Sequence, residues 1–317
     1  MKKVLVLGAS GGIGYALVQE LVSRGVEVIA FARGKEKLET LYRSEANVKI
    51  FQGDALVEQD VIEASKGVDV IFHSVGFPYQ DWDETHPLCV EIMITAARKV
   101  GAKIAFVDNV YAYGRQGELV TEITKKIPHT KKGKLRLAME TSLKESGVPT
   151  LIVHMPDVYG PNCENTILHE TLKNVVQNKT ANFVGSMKPA REYLYTPDGA
   201  KAMVELALRE GAYDQNWNIP AAYPITGEEL LELFQKQFNY TKSLRSISKA
   251  MIRLIGVFQP FMKEMVEMMY LTEEPVVLSG QKYEREIGTM PRTSYQDGLN
   301  QTFKWMEENS KKELQVR

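Results

Sequence analysis

The chain is nearly devoid of cysteine, lacks any long apolar run, and carries no surplus of charge of either sign. Cys89 and Cys163 stand far apart without metal-ligand spacing, which argues against a disulfide framework or a zinc site and fits a reducing cytoplasm. A formal net charge of -1 over 317 residues supplies no general attraction to nucleic acid or to an anionic membrane, and no basic tail is present. No uninterrupted stretch of about 18 apolar residues occurs, so no membrane-spanning helix is expected. The opening Met-Lys-Lys could begin a signal peptide, but the apolar run stops at Leu7 and reads as a strand. Repeats and low-complexity linkers are also missing. The partners expected are a small-molecule substrate and a second copy in a homodimer, with no nucleic acid, membrane or metal.

What is present begins at once. Val4-Leu5-Val6-Leu7 runs into Gly8-Ala9-Ser10-Gly11-Gly12-Ile13-Gly14, and Ile13, Leu17 and Leu21 then recur on one face of a helix. A strand, a tight glycine turn and a helix N-terminus let backbone approach a pyrophosphate at the positive end of the helix. The G-x-x-G-x-x-G spacing departs from the commonest G-x-G-x-x-G fingerprint. The alternative is a glycine-rich turn with no ligand.

Strands expected at 26–31, 48–51, 68–72, 103–107 and 150–154 alternate with helices at 35–43, 57–65, 88–100 and 131–146. Such alternation implies an α/β fold, a doubly wound parallel sheet of the Rossmann type with right-handed crossovers. Past Pro156 the rhythm breaks. A helix at 165–178, short strands at 182–184 and 192–195, a helix at 198–209 and a last strand at 217–219 are expected, followed by mostly helical chain. Residues 1–160, with about 196–220, form the dinucleotide-binding domain on this reading. About 161–195 and 221–317 form a smaller, mostly helical C-terminal substrate lobe, with the ligand cleft between the two.

In parallel sheets ligands bind beyond the carboxyl ends of the strands. The second strand ends in Arg33, at the place about 20 residues past the glycines where an NAD site carries a carboxylate for the ribose 2′-hydroxyl. A guanidinium there favours the 2′-phosphate of NADP(H), with NAD(H) as the alternative and a solvated surface arginine as the bland reading. After the third strand, Asp54 and Ala55 are placed for adenine, although Asp54 could equally cap the next helix. After the fourth, Ser74, Val75 and Gly76 are small enough to pass the pyrophosphate and ribose. His73 reads as a buried hydrogen-bonding residue.

Together these residues resemble the extended short-chain dehydrogenase/reductase superfamily, in particular its NAD(P)-dependent epimerase/dehydratase branch. The likeness covers nearly the whole chain. Asp69-Val70-Ile71-Phe72-His73, residues 106–114, His154-Met155-Pro156-Asp157-Val158-Tyr159-Gly160-Pro161, Arg191-Glu192-Tyr193-Leu194-Tyr195 and residues 282–299 are similar to successive family segments in order. The resemblance implies that Pro156 and Val158 pass the nicotinamide and that Tyr159 and Arg191 face substrate. It further implies that Arg191 holds a substrate phosphate, for which a structural salt bridge is the rival reading.

The catalytic positions depart from the family, leaving a degenerate triad. Counting from Glu140 places Arg136 at the family's lysine and Lys132 at its tyrosine; counting from Tyr113-Gly114 places Asn109 at its serine or threonine. Arg136 can hydrogen-bond a ribose but cannot act as a base near neutral pH. Lys132 could move protons only if desolvation or Arg136 lowered its pKa. Asn109 could polarise a carbonyl, and Tyr111 or Asp108 could supply a displaced phenol or carboxylate. The alternative is that this loop merely packs beneath the cofactor. The Met-rich stretch at 247–270 reads chiefly as helix core, with an adaptable substrate wall or a dimer surface as alternatives. The expected activity is NAD(P)-dependent hydride transfer between nicotinamide and a carbonyl or hydroxyl carbon, of a nucleotide-sugar or other small substrate. The competing function is a non-catalytic NADP(H)-binding redox sensor or regulatory protein.

Overall fold

The computed structural model describes residues 1–316. Its strands are β1 (Lys3–Leu7), β2 (Glu27–Ala32), β3 (Val48–Gln52), β4 (Val70–His73), β5 (Lys103–Asn109), β6 (Thr150–Met155), β7 (Asp157–Tyr159), β8 (Ala181–Val184), β9 (Tyr193–Tyr195), β10 (Gln215–Asn218) and β11 (Leu244–Ile247). Its helices are α1 (Gly12–Ser23), α2 (Lys35–Tyr42), α3 (Glu58–Ala64), α4 (Trp82–Val100), α5 (Lys131–Glu145), α6 (Ile167–Val176), α7 (Thr196–Ala207), α8 (Gly227–Phe238), α9 (Lys249–Ile255), α10 (Pro260–Met265), α11 (Gln281–Glu286) and α12 (Tyr295–Val316).

The main sheet runs β10-β6-β5-β4-β1-β2-β3, every neighbouring pair parallel. Strands covered on both faces read as continuous apolar runs. In β1, Val4 and Val6 enter one core with α1 and α7, while Leu5 and Leu7 enter the other with α3, α4 and α5. The chain reverses its direction of travel between β1 and β4, the switch point at which such sheets open a crevice.

Two glycines set the geometry of that crevice. Gly8 ends β1 at φ +83°, and a Cβ there would stand 2.8 Å from the Ser74 carbonyl oxygen. Gly14 lies in the first turn of α1, where a Cβ would meet the Gly8 carbonyl at 2.1 Å. The helix therefore starts flush against the strand end. Its N-cap, Gly11, offers no side-chain cap, so the first amides remain free for an anion.

Beyond β6 the chain makes the pair β7-β9 and the pair β11-β8 around a third core of Tyr159, Leu172, Phe183, Phe234 and Tyr295 among others. α8 opens with a capping box between Thr226 and Glu229. Several elements differ from the sequence reading. α4 starts at Trp82 rather than Leu88, with Pro87 inside the helix masking its periodicity. β7, β11 and α11 were not expected. Residues 247–270 do not form a long helix but two short ones broken by Gly256 and Pro260, followed by a 3-10 segment, Val266–Thr272.

Glu192, which precedes β9, is a buried carboxylate that ties together distant parts of the chain beyond β6 by accepting from the amides of Leu278 at 2.8 Å and Ala221 at 3.1 Å. Burial raises its pKa from 4.5 to about 7, against the opposing pull of those two amides. A raised carboxylate binds its proton more tightly in the folded chain, so this stability is present below about pH 4.5 and lost as pH rises through about 7. Urea denaturation of wild type and Glu192→Gln across that interval checks this: the wild type should lose on the order of 2 kcal/mol relative to the variant.

Candidate functional site

The crevice at the switch point is a cavity of about 530 Å³ lined by Gly8, Ser10, Gly11, Gly12 and Ile13 from the glycine turn. Arg33 and Lys37 line the β2 end, Asp54 and Ala55 the β3 end, and Ser74, Val75, Gly76 and Phe77 the β4 end, with Val158 opposite. The loop between β7 and α6, residues 162–166, closes one side. Asn162 straps it to the turn by donating from Nδ2 to the Ser10 carbonyl at 3.1 Å. Gly12 permits this, since a Cβ there would lie 2.7 Å from Cys163. An uncapped helix N-terminus facing an elongated cleft, with glycines where any side chain would collide, fits a dinucleotide pyrophosphate.

Of the residues expected to hold the cofactor, Gly14, Pro156 and Arg136 do not line this cavity. Gly14 acts beneath it, through packing. Asp54 is not a helix cap: its Oδ1 accepts from the Leu56 amide at 3.0 Å, and Val57 occupies the N-cap of α3. His73 is buried, stacked on Phe106, and burial lowers its pKa to about 3.

Past the β4 end lies an aromatic cluster. The Tyr79 and Tyr111 hydroxyls meet at 2.7 Å, Tyr79 packs edge-on to Trp82 and stacks on Phe261, and Lys132 Nζ stands 5.1 Å from the Tyr79 ring centre. Burial pushes the Tyr79 phenol up to about 12. Burial likewise raises Tyr111 well above 10, helped by the charges of Tyr79 and Asp157 and opposed by Arg136. Both phenols are therefore neutral at pH 7, and they share one hydrogen bond.

Lys132 is not placed as a free base. Its ammonium donates to Glu264 Oε2 at 2.6 Å and to Glu267 Oε1 at 2.9 Å, and it is 2% exposed. Arg136 is locked from several sides: Nη1 reaches Asp108 Oδ1 at 3.3 Å, Nη2 reaches His86 Nε2 at 3.4 Å, and the guanidinium lies 4.6 Å from the Trp82 ring centre. The Asn109 side-chain oxygen accepts from the Tyr111 amide at 2.9 Å, fixing the turn after β5.

Behind this layer, Asp108, Glu140 and His154 converge closely enough to hold a cation. The Lys126 ammonium already serves as that cation, touching Glu140 Oε2 and lying 2.9 Å from His154 Nε2. Asn216 and Lys144 donate to the other Glu140 oxygen, at 2.9 Å and 2.7 Å.

Arg191 has no carboxylate partner among the described residues. It is 6% exposed, its Nε and Nη2 find no acceptor, and its guanidinium lies 4.4 Å from the Phe183 ring centre. The salt bridge that was the rival reading is not formed. Tyr159 is a correction: it is 1% exposed and packed between Tyr195 and Tyr295 in the third core rather than open to a ligand. Sequence reasoning assigned nothing to Asp157 and Tyr79. Asp157 is exposed, but the chain packed around it partly desolvates its carboxyl and raises the pKa, and Arg191 opposes the rise. Its charge is felt by the Tyr79 and Tyr111 phenols and it feels that of Arg191, so the four groups lie near one another. Only its position in a family segment signalled it.

Fold and cleft define an NAD(P)-dependent enzyme of the doubly wound α/β class. Residues 4–219 match the NAD dependent epimerase/dehydratase family, and the chain belongs to that family. It is 25% identical to an uncharacterized UDP-glucose epimerase, YtcB, of Bacillus subtilis (strain 168), over 69% of this chain and 77% of the relative. It is 20% identical to the dTDP-D-glucose 4,6-dehydratase of Homo sapiens, over 97% of this chain and 91% of the relative. Among solved structures, an epimerase of Methanothermobacter thermautotrophicus superposes with TM-score 0.81 at 17% identity, covering 98% of this chain and 93% of the other. The UDP-glucuronic acid 4-epimerase of Bacillus cereus, in complex with NAD, gives 0.78 at 17% identity, covering 96% and 99%. These structures share the fold. No helix among the described residues is long and apolar enough to cross a membrane.

Glu140 holds the interior charges behind the site. Burial would raise its carboxyl, but hydrogen bonding to His154 and the charge of Lys126 outweigh that and hold it well below the ordinary range. Glu140→Ala leaves Lys126 buried without its carboxylate and should cost about 3–5 kcal/mol in denaturant unfolding at neutral pH. A depressed carboxylate stabilises above its unfolded pKa of about 4.5 and loses that contribution as pH falls further. The gap between wild type and variant should therefore narrow in acid.

Proposed function

We propose that this enzyme prefers NADP(H) and acts on a nucleoside-diphosphate sugar bound against Asp157, Arg191 and the Tyr79–Tyr111 pair. The observation that carries the substrate class is Arg191. A guanidinium buried with two N–H groups unmet is costly unless an anion completes it, and its fork matches a phosphate. The sugar nucleotides in the names of the relatives, UDP-glucose and dTDP-glucose, agree with a diphosphate at that point.

For the cofactor, the glycine turn, Asp54, Ala55, residues 74–76 and Val158 form the cradle. Arg33, with Lys37 one helical turn on, supplies positive charge where a 2′-phosphate would lie. Lys37 also pairs with Glu164 at 2.7 Å, so among the described residues Arg33 is the cation of the two without a carboxylate of its own. When bound, the nicotinamide supplies the hydride chemistry.

The chain's own part is to place the substrate oxygen and handle its proton. Tyr111 Oη donates the proton that a carbonyl oxygen takes up on becoming hydroxyl, Tyr79 Oη, 2.7 Å away, passes its own proton to Tyr111, and the half-exposed Tyr79 recovers one from water. Arg136 acts on Tyr111 as a positive charge that favours the transient phenolate. Asn109, its side-chain oxygen engaged by the turn, presents its amide N–H groups to the reacting oxygen. Lys132 holds Tyr79 from beneath its ring and tethers the segment carrying Glu264 and Glu267.

Three substitutions test this reading. Arg33→Ala should weaken NADPH binding more than NADH binding in a fluorescence titration; equal losses would remove the argument for the phosphate. Arg191→Met should raise KM for UDP- or dTDP-sugars by about 10- to 100-fold. Tyr111→Phe should lower kcat by about 100-fold or more with NADPH affinity unchanged. Tight NADPH binding with no turnover on panels of sugar nucleotides and simple carbonyls would return the protein to the class of dinucleotide sensors.

A further inference from the structure

The segment joining α8 to the end of α10 is unlike the rest of the chain. From Asn239 to Lys263 it carries Lys242, Arg245, Lys249, Arg253 and Lys263 and no acidic residue, within a chain whose net charge is -1. None of the five forms an ion pair among the described residues. At its tip, where α9 turns into α10, Leu254 is 68% exposed, Val257 71% and Phe258 84%. Elsewhere large apolar side chains are mostly in the cores, so three at one turn form a patch with no packing role.

The tip has an inner side as well. Ile252 and Met265 form a small core with Met269 that anchors both helices, and Phe261 stacks on Tyr79. Glu264 and Glu267, the first acids after the run, turn inward to Lys132. The acids that follow the run face the body of the protein, while Lys242, Arg245, Arg253 and Lys263 are exposed and Lys249 is half-buried.

We propose that the α9–α10 tip docks on an anionic lipid surface. Apolar side chains at a turn enter the headgroup boundary, and flanking lysines and arginines meet the lipid phosphates. Charge argues against a second copy as the occupant, because symmetric pairing would bring two uncompensated cationic clusters together. A near-zero net charge hides this feature, since acids elsewhere on the chain cancel it in the sum while leaving it locally intact.

Full-length protein is mixed with phosphatidylcholine vesicles, with or without about one third phosphatidylglycerol, and sedimented. Binding to the anionic vesicles should exceed binding to the neutral ones by about tenfold or more and fall as salt is raised. Val257→Ser with Phe258→Ser, and separately Lys249→Glu with Arg253→Glu, should each weaken it by about tenfold or more. Because these residues lie outside the dinucleotide cleft, unchanged NADPH affinity in the variants certifies the fold. No sedimentation with anionic vesicles, or equal binding to both compositions, overturns the proposal. So does a dimer in solution that the Val257 and Phe258 substitutions dissolve, which would assign the patch to a second copy.

Discussion

The constraint on which the site depends is the pairing of buried charge where α5 meets the sheet. Asp108, Arg136, Glu140, His154 and Lys126 are all withdrawn from water at the carboxyl ends of β5 and β6. An unpaired charge at that depth would cost several kcal/mol, so each must find a partner of fixed geometry. The partners come from β5, β6, the 126–130 loop and α5, and meeting their demands sets where α5 lies. Arg136 shows the consequence most clearly. Held by Asp108 and His86 and stacked on Trp82, it has little freedom to serve as a mobile ribose ligand. On the proposed reading it acts by its charge and its position.

That rigidity explains how the proposed chemistry can survive the loss of the family's tyrosine and lysine. A phenol near a positive charge is the physical requirement, because the charge lowers the cost of the phenolate. The backbone position from which the phenol comes matters less. Here the phenols of Tyr79 and Tyr111 arise from the turns after β4 and β5, and the cations Lys132 and Arg136 project from α5 toward them. On the proposed reading the two chemical roles are kept and their places in the chain exchanged.

The sheet was legible because both of its faces are covered. Runs such as Val4-Leu5-Val6-Leu7 have no amphipathic reading other than a buried strand, and the glycine turn has its own steric logic. Family order led to Arg191, but only the fold could show that no carboxylate meets it. The neighbouring inference for Tyr159 failed because membership of a segment does not report burial: Asp157 opens β7 exposed, whereas Tyr159 ends it in a core of tyrosines supplied by Tyr195 and Tyr295. Tyr79 was hidden for a different reason. Its importance comes from a hydroxyl contributed by a loop 32 residues away, which no local pattern reports.

The stretch at 247–270 was the least legible, because composition has no direction. Methionine and isoleucine at helical spacing read as core, and some of them, Ile252, Met265, Met268 and Met269, are core. Gly256 and Pro260 break the helix, however, and a broken helix cannot bury all sides of both halves. The turn between them is forced outward with Val257 and Phe258 on it. The same break lets α10 fold back so that Glu264 and Glu267 reach Lys132. Exposure of the tip and the tether to Lys132 on α5 are thus two results of one interruption in the helix, which makes it hard to change either without the other.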